Sequence, residues 1–362
     1  MTTAPITVHV ALGERSYDIH IGSGNLPAVG QYTAGLGRLT HAIVITDSNV
    51  QPLFAERCVA SLQAAGARVD LVVITAGEAS KTVETANRLW QQLCRCGADR
   101  KSVVVALGGG VIGDLAGFVA ATYTRGLSFV QVPTTLLAHV DSSVGGKVGV
   151  NLPDAKNMVG AFWQPRGVLI DTCVLETLPI REYRAGLAEV VKYGVILDAE
   201  FFEYLESHVA ALNERRADVL QYIIARSCRL KADVVERDER ELTGLRAVLN
   251  YGHTFGHAFE SATNYEQYLH GEAVALGMVC ASQLAERLQR IDASLTQRQC
   301  QLLAALGLPV RIPQLDTEVL LAAMQRDKKV EHGRLRFVLP SRLGHVELVA
   351  DVPADLVREV LT

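Results

Sequence analysis

The sequence contains no paired-cysteine motif, no long apolar run and no long run of one charge. Its seven cysteines are odd in number and scattered, and none forms a Cys-x2-Cys pair, which is typical of buried thiols in a reducing compartment. No stretch reaches the roughly 18 apolar residues that a transmembrane helix needs, and the N-terminal residues lack the features of a signal peptide. The formal net charge of −4, with both signs mixed along the chain, predicts no attraction to nucleic acid or to membrane surfaces. We therefore expect a cytoplasmic protein.

Internal repeats, low-complexity stretches and Pro/Gly/Ser-rich linkers are also absent. The 362 residues, 49% of them hydrophobic, suffice for large cores and about two domains. The first half alternates short β-branched runs with helical patterns, which predicts βαβ units and a parallel sheet covered on both faces. Strand runs lie at 41–46, 69–74, 103–107 and 128–132, and helical patterns lie at 50–65 and 81–94. Long helical patterns follow at 182–195, 217–236 and 273–289. We therefore predict an α/β fold, with a parallel-sheet domain at 1–178 and an α-helical domain at 179–362.

Three of the ten histidines lie close together, at His253, His257 and His270. The first two are four residues apart, so a helix would present both imidazoles on one face. A third histidine or a carboxylate could complete a catalytic metal site that keeps a fourth position open for water or substrate. The alternative is that these are capping or core histidines.

A glycine cluster follows the predicted strand at 103–107. Gly108, Gly110 and Gly113 match G-x-G-x-x-G between a strand and a helix, where backbone amides could bind a phosphate or a dinucleotide. The acidic residue expected about twenty positions later is missing, which departs from the Rossmann fingerprint. Asp47 and Glu78 are alternative carboxylates for ribose hydroxyls. The competing interpretation is a tight turn with close helix–sheet packing.

The segment 141–160 is rich in glycine and polar residues. Its glycines predict bent backbone that presents Lys147, Lys156 and Asn157 to a phosphorylated, hydroxyl-rich ligand. The alternative is a solvated hairpin whose lysines point outward.

Charged residues also occur in helical patterns of the second half. Glu189 and Lys192 lie at i,i+3 on an otherwise apolar helix, where burial without partners would be costly. Glu189 could be the third metal ligand and Lys192 could contact a substrate hydroxyl, or the two could form a plain ion pair. Arg246, four residues before Asn250, is expected to extend the histidine helix with a guanidinium able to bind a carboxylate.

Seven segments, in this order, resemble the 3-dehydroquinate synthase family of the shikimate pathway. They are 108–114, 131–138, 140–147, 156–162, 188–194, 249–257 and 327–330. The resemblance implies a Rossmann-like NAD-binding domain joined to an α-helical metal- and substrate-binding domain, with NAD and a divalent metal, Zn or Co, as cofactors. It also implies a homodimer and the conversion of 3-deoxy-D-arabino-heptulosonate 7-phosphate to 3-dehydroquinate and phosphate. In that reaction a hydroxyl is oxidised, phosphate is eliminated, the ketone is reduced again and an aldol step closes the ring.

The resemblance also implies roles for individual residues. The metal ligands would be Glu189, His253 and His270. The NAD-binding residues would be Asp47, Glu78, Lys81, Gly109, Gly110, Asp114, Thr134, Thr135, Lys147, Lys156 and Thr177. The phosphate would be held by Lys147, Asn157, Asn250, His257 and Lys329, the carboxylate by Lys231 and Arg246, and the ring hydroxyls by Asp141 and Lys192. Arg125 would reach the phosphate site of the neighbouring subunit.

A few positions depart from the family pattern. Val148 and Ala155 stand where Thr and Gly are frequent, and 238–246 is one residue longer than usual, which bears on the register of Lys231 with Arg246. Lys329 is chosen over Lys328, and His139 is not expected to be a ligand. Two other enzyme classes share the chemistry: a cyclase whose substrate lacks a carboxylate, such as a 2-epi-5-epi-valiolone or 2-deoxy-scyllo-inosose synthase, and a metal-dependent polyol dehydrogenase that accumulates NADH.

Overall fold

The structure, a computed structural model, describes residues 4–153, 155–325 and 335–361. The chain forms two compact units: unit 1 comprises Met1–Leu178 and Leu220–Arg240, and unit 2 comprises Pro179–Val219 and Glu241–Thr362. A segment of the second half of the sequence thus returns to the first unit, which the division at residue 178 does not anticipate. None of the helices in the described part of the chain is long and apolar enough to cross a membrane.

Unit 1 is built on a seven-stranded sheet with the order β1-β2-β9-β6-β5-β3-β4. β1 and β2 form an antiparallel hairpin, and every other neighbouring pair in the sheet is parallel. The strands of the unit are β1 (Ile6–Val10), β2 (Tyr17–Gly22), β3 (His41–Asp47), β4 (Arg68–Ile74), β5 (Val103–Gly108), β6 (Ser128–Pro133), β7 (Lys147–Leu152), β8 (Ala155–Phe162) and β9 (Gly167–Asp171).

Helices cover both faces of this sheet, as the strand pattern predicted. They are α1 (Val29–Gly35), α2 (Glu56–Ala64), α3 (Val83–Arg95) and α4 (Gly110–Thr122); most of α8 (Ala217–Arg237) also belongs to this unit. Alternate residues of one strand enter two separate cores, because successive side chains of a strand point to opposite faces. Ile43 and Ile45 pack in the core with α3 and α4, whereas Ala42 and Val44 pack in the core with α1 and α2. The doubly covered parallel sheet is confirmed.

The glycine-rich segment after β6 differs from its prediction. We expected bent, turn-rich backbone over 141–160. The structure has such backbone up to Gly145 and Gly146, whose φ angles are +99° and +66°, and from Lys147 onward forms the antiparallel hairpin β7–β8, as in the alternative interpretation. Buried Val148 and Val150 draw the first strand onto the core with α3 and α4. Gly149 and Gly160 face each other at the closest approach of the two strands, where a Cβ on Gly160 would lie 2.3 Å from the carbonyl oxygen of Val148. The glycines therefore serve strand pairing here.

Unit 2 is mainly helical, as predicted, with a hairpin that the sequence pattern missed. Its helices are α5 (Ile180–Leu197), α6 (Ala199–Ser207), α7 (Val209–Asn213), α9 (His253–Ala262), α10 (His270–Arg287), α11 (Ala293–Ala305), α12 (Thr317–Gln325) and α13 (Ala354–Glu359). The hairpin consists of β10 (Phe337–Arg342) and β11 (His345–Val349). The ring of Phe337 lies 5.3 Å from that of Phe255 on α9, so the hairpin completes the apolar core beside the histidine helix.

Candidate metal centre and nucleotide site

Three helices of unit 2 bring a carboxylate and two imidazoles together. Glu189 lies in the middle of α5 and is fully buried, while His253 and His270 are the first residues of α9 and α10. One ligand atom from each lies within 4.8 Å of the others. Oε1 of Glu189 is 3.7 Å from Nε2 of both histidines. The geometry thus groups the three residues to which the resemblance gives the metal.

Two closely packed glycines, Gly252 and Gly277, determine how near the first residues of α9 and α10 lie to each other. Gly252 has φ +79°, a left-handed conformation that ends the preceding 3-10 turn and lets α9 begin at His253. Gly277 on α10 lies against it: a Cβ there would be 1.9 Å from the carbonyl oxygen of Gly252. The backbones of α9 and α10 can therefore approach closely enough to bring His253 and His270 near each other.

The surroundings of the Glu189 carboxylate indicate whether these three residues could bind a cation. Both of its carboxylate oxygens are buried, and neither accepts an aligned hydrogen bond within the described ranges. Lys192 Nζ contacts Oε2 as an ion pair, and Oε1 faces the two imidazoles. A buried carboxylate without hydrogen bonds is costly, and a divalent cation would remove that cost. Two imidazole nitrogens and one carboxylate oxygen also form a donor set that zinc and cobalt accept. The residues therefore fit a divalent metal.

His257 does not join this group. It lies four residues after His253, as the sequence pattern requires, with its ring centroid 5.6 Å away. Its ligand atoms group instead with Glu260 and His270. The i,i+4 pair that first drew attention to a metal is therefore not the pair that faces Glu189.

A further group of possible ligands, His41, Asp70 and Cys96, lies in unit 1. Its members already bind one another or their neighbours: Nε2 of His41 is 2.7 Å from Oδ2 of Asp70, and its Nδ1 is 3.1 Å from Oγ of Ser102. Burial raises the pKa of the Cys96 thiol, which favours the protonated form over the thiolate that binds metal. This group is explained as a hydrogen-bonded structural cluster.

The glycine turn in unit 1 lies at the carboxyl end of β5. Gly109 caps α4 and Gly110 begins it, so the first amides of the helix are at the sheet edge where parallel folds bind ligands. Thr135 and Ser142 approach the turn so closely that a Cβ on Gly109 would lie 3.0 Å from Thr135 Cγ2, and one on Gly110 would lie 3.1 Å from Ser142 Oγ. The turn needs glycine for this close packing. Its φ angles are not left-handed.

Carboxylates and hydroxyls lie near the same edge. Asp47 ends β3, and its Oδ1 accepts hydrogen bonds from the amides of Asn49 and Val50. Thr134 and Thr135 follow β6, and the Oγ1 of Thr134 is buried with no hydrogen-bond partner in the described part of the chain. Thr177 lies in a 3-10 turn and donates its hydroxyl to the carbonyl oxygen of Val174.

Lys81 is the centre of a polar network in unit 1. Its Nζ donates to Oδ2 of Asp114 and to Oδ1 of Asn157, each at 2.5 Å. Burial alone would lower the pKa of Lys81, but the carboxylates of Asp114 and Glu78 outweigh it and the pKa is raised. The group therefore stays an ammonium. Asn157, which the resemblance gives to the phosphate, thus lies beside two residues that it gives to NAD.

Sequence reasoning missed Asn151 in this network. Its Nδ2 donates to Oε1 of Glu78 at 2.7 Å, and its Oδ1 accepts from the amide of Asn157 at 2.8 Å. Asn157 has φ +55°, which an asparagine tolerates better than most residues. The signal in the sequence was the pair of asparagines at the two ends of the hairpin turn, which are typical of such turns.

The remaining candidates are found at separate places. Lys231 on α8 donates to the carbonyl oxygen and to Oδ1 of Asp141, at 2.8 and 2.7 Å. Lys147 begins β7 and is exposed, and Lys156 is partly buried on β8. Arg125 follows α4 with φ +68°. Lys329 lies outside the described residues.

Arg246 requires a correction. We expected it to extend the histidine helix, but it lies in a separate 3-10 turn, Leu245–Asn250, with Asn250 as the last residue. The left-handed Gly252 separates that turn from α9. Arg246 is nevertheless only 3% exposed, and its Nε is 3.6 Å from Oε1 of Glu241.

Comparison with solved structures defines the class. A 2-deoxy-scyllo-inosose synthase, solved with carbaglucose-6-phosphate, NAD+ and Co2+, is 28% identical over 98% of this chain and 99% of that chain, with a TM-score of 0.89. A 2-epi-5-epi-valiolone synthase from Streptomyces hygroscopicus, with NAD+ and Zn2+ bound, is 30% identical over 97% of each chain, with a TM-score of 0.88. The fold is that of the dehydroquinate synthase-like cyclases.

Sequence comparison gives the family. Residues 71–185 match the model of the 3-dehydroquinate synthase N-terminal domain, and residues 186–330 match that of its C-terminal domain. The 3-dehydroquinate synthase of Rhodopirellula baltica is 51% identical over 98% of this chain and 96% of the relative. The chain belongs to the 3-dehydroquinate synthase family.

Proposed function

We propose that this protein is a 3-dehydroquinate synthase, a carbon–oxygen lyase that converts 3-deoxy-D-arabino-heptulosonate 7-phosphate to 3-dehydroquinate and phosphate. The observation that carries the proposal is the 51% identity, over 98% of the chain, with a relative of that name. The cofactors are NAD and a divalent metal, Zn or Co, as in the solved cyclases. The reaction belongs to the shikimate pathway and so to aromatic amino acid biosynthesis.

The two cofactors divide the redox chemistry. When bound, NAD accepts and returns a hydride, and the metal polarises the hydroxyl and the ketone that replaces it. Glu189, His253 and His270 would hold the metal; the Glu189 side chain is fully buried, whereas those of His253 and His270 are 13% and 35% exposed. The residues that hold NAD are Asp47, Glu78, Lys81, Gly109, Gly110, Asp114, Thr134, Thr135, Lys147, Lys156 and Thr177.

The other polar residues bind and orient the substrate. Arg246 presents a guanidinium that can take the carboxylate through two parallel hydrogen bonds, with Lys231 as the second cation. Asp141 and Lys192 bind the ring hydroxyls, and the contact of Lys192 with Glu189 places that ammonium next to the metal ligands. Lys147, Asn157, Asn250, His257 and Lys329 hold the phosphate, and each cation among them favours the charge of the leaving group.

The assembly and location follow the family expectation. The protein acts as a homodimer in the cytoplasm, and Arg125 of one subunit contributes to the phosphate site of the other. Its left-handed backbone directly after α4 is unusual for an arginine and requires support from its surroundings.

The second candidate is a cyclase whose sugar-phosphate substrate lacks a carboxylate. The solved 2-deoxy-scyllo-inosose synthase and 2-epi-5-epi-valiolone synthase, which share this fold, favour it. Arg246 distinguishes the two. Its buried guanidinium, which lies near Glu241, can bind a carboxylate through two parallel hydrogen bonds, and only the sugar acid supplies that carboxylate. The favoured substrate is therefore the sugar acid.

The direct experiment measures phosphate release from 3-deoxy-D-arabino-heptulosonate 7-phosphate with catalytic NAD and zinc or cobalt, while absorbance follows NADH. We expect 3-dehydroquinate and phosphate over many turnovers per NAD, no accumulation of NADH, and loss of activity with a chelator. NADH that accumulates in step with product would identify a dehydrogenase instead. No turnover by the metallated, NAD-bound protein would identify a cyclase of another substrate.

Replacing Arg246 by Ala tests the carboxylate assignment. We expect KM to rise by about 10-fold or more, because a charge-assisted hydrogen bond contributes about 1.5–3 kcal/mol, while zinc affinity is unchanged. Arg298→Ala removes an arginine that is paired with Glu206 in the same unit and serves as the matched control. An unchanged KM for Arg246→Ala would show that Arg246 does not bind the substrate.

A further inference from the structure

Glu260 is a buried carboxylate next to the metal centre to which neither the sequence nor the resemblance gave a role. It lies on α9, and its side chain is 5% exposed. Its Oε2 is 3.4 Å from Nδ1 of His270, which is a long hydrogen bond compared with the usual distance of about 2.7–3.2 Å. An ionised carboxylate can only accept, so the ring donates its Nδ1 proton. The lone pair of His270 is then on Nε2, the atom that faces Glu189.

His253 also has a hydrogen-bond acceptor at Nδ1, but that acceptor is an uncharged backbone carbonyl group. Its Nδ1 lies 3.1 Å from the carbonyl oxygen of Tyr251, and its Nε2 faces the same oxygen of Glu189. Both histidines therefore present Nε2 to Glu189 and donate Nδ1–H away from it. Only the acceptor for His270 carries a charge.

We propose that Glu260 is a positioning residue for the metal centre: it fixes the Nδ1–H tautomer and the ring orientation of His270. A carboxylate behind a histidine ligand also makes the ring a stronger donor, and such partners commonly affect metal affinity by about 10–100-fold. This inference rests on the proposed function, because it concerns the metal that Glu189, His253 and His270 hold.

The competing arrangement makes Glu260 itself a ligand, since its oxygen groups with His257 and His270. An ion there would take Nδ1 of His270, the nitrogen nearest to Glu260. An ion at Glu260 would leave Glu189, which is more deeply buried and accepts no aligned hydrogen bond in the described ranges, with the Lys192 ammonium alone, so the geometry favours Glu260 as the partner of a ligand.

The test measures zinc affinity by competition with a chelator, together with the visible absorption spectrum of the cobalt-loaded protein. We expect one ion per chain in the wild type and about 10–100-fold weaker binding in Glu260→Ala. Glu260→Gln keeps the shape and one accepting oxygen, so its affinity should fall less and its cobalt spectrum should keep the wild-type form. If the alanine variant does not fold, the glutamine variant decides, with weaker binding at unchanged thermal stability as the expected result.

The matched control is Glu206→Gln, which removes a carboxylate of unit 2 that is paired with Arg298. Its zinc affinity should equal that of the wild type. Wild-type affinity in both Glu260 variants would overturn the proposal. So would two ions per wild-type chain or a changed cobalt spectrum in Glu260→Gln, either of which would identify Glu260 as a ligand. A wild-type protein that binds no divalent metal would instead contradict the metal centre, and with it the proposed function.

Discussion

Buried charged residues in this protein are concentrated among the candidate site residues. Lys81, Glu189, Lys192, Lys231 and Arg246 are all nearly inaccessible to solvent. Each has a partner of opposite charge within its own unit: Lys81 with Asp114, Lys192 with Glu189, Lys231 with Asp141, and Arg246 with Glu241. Burying such groups costs free energy that a pair recovers only in part. The protein's own carboxylates thus fix the positions of these buried lysine and arginine side chains.

His139 illustrates a buried ionisable group with a different consequence. It is fully buried, its Nε2 lies 2.9 Å from the carbonyl oxygen of Pro133, and burial lowers its pKa to about 4. Since the folded pKa lies below the unfolded value of about 6.5, the unfolded state binds the proton first as the pH falls. The contribution of neutral His139 to the free energy of unfolding is therefore fully present above about pH 6.5. It falls by about 3 kcal/mol as the pH is lowered from there to pH 4.

The variant His139→Gln should remove that loss, because an amide can donate to Pro133 without titrating. We expect similar free energies of unfolding for both proteins at pH 7.5 and about 3 kcal/mol in favour of the variant at pH 4. Urea unfolding at intervals between these pH values measures the difference. Parallel curves for the two proteins would show that His139 is not buried in its neutral form.

At the scale of helices and strands, the positions of the candidate metal ligands His253 and His270 depend on how closely α9 and α10 approach. Gly277 lies where α10 meets the carbonyl oxygen of Gly252, and a Cβ there would also lie 2.8 Å from the amide of Gly256. Both neighbours are backbone, so no side chain can move aside. A larger residue at position 277 must separate the starts of the two helices or strain them.

We therefore expect Gly277→Ala to destabilise the protein by about 1–3 kcal/mol, the usual cost of overpacking, and to weaken zinc binding. In an exposed helix the same change would be stabilising, because glycine is a poor helix former. Gly35→Ala in α1 meets nothing within 4 Å and is the control, with unchanged zinc affinity expected. Thermal unfolding and chelator competition give the two values. A Gly277→Ala protein with wild-type stability and affinity would contradict the close approach of α9 and α10.

Local pattern predicted the strands that alternate with helices, β3 to β6, and missed the other strands of the same sheet, including the fully buried β9. The β-branched runs of β3, β5 and β6 predicted central strands, which the structure confirms. β1 and β10 were missed, since β1 alternates exposed and buried residues at the sheet edge and β10 contains Pro340. The helix break before His253 depends on the left-handed Gly252, which a repeat of apolar residues does not reveal.

The site was predicted in a similarly uneven way. Spacing alone suggested His253 with His257, and only the resemblance selected His253, His270 and Glu189, because residues from three helices meet through packing between distant segments. Glu260 gave no signal, since an acidic residue in a helical pattern is usually solvated. Its role becomes visible only when its distance to His270 is known.

At the scale of the whole molecule, the candidate site residues are divided between two units that are not continuous in sequence. α8 runs from Ala217 to Arg237, and residues from Leu220 onward belong to unit 1. A fragment ending at residue 178 would therefore lack a helix of its own unit, including Lys231. Experiments on either site need the full chain.

Hydrogen exchange of the full chain should separate the two sites. Zinc at about 100 times its dissociation constant stabilises the binding state by about 2.7 kcal/mol, which corresponds to about 100-fold slower exchange of amides that open with the site. We expect this protection at the starts of α9 and α10 and in the middle of α5. NAD should protect the end of β5, the start of α4 and the residues around Lys81. His253→Ala should abolish the zinc effect and leave that of NAD. Zinc protection around the glycine turn that persisted in His253→Ala would place a metal site in unit 1 and contradict the assignment.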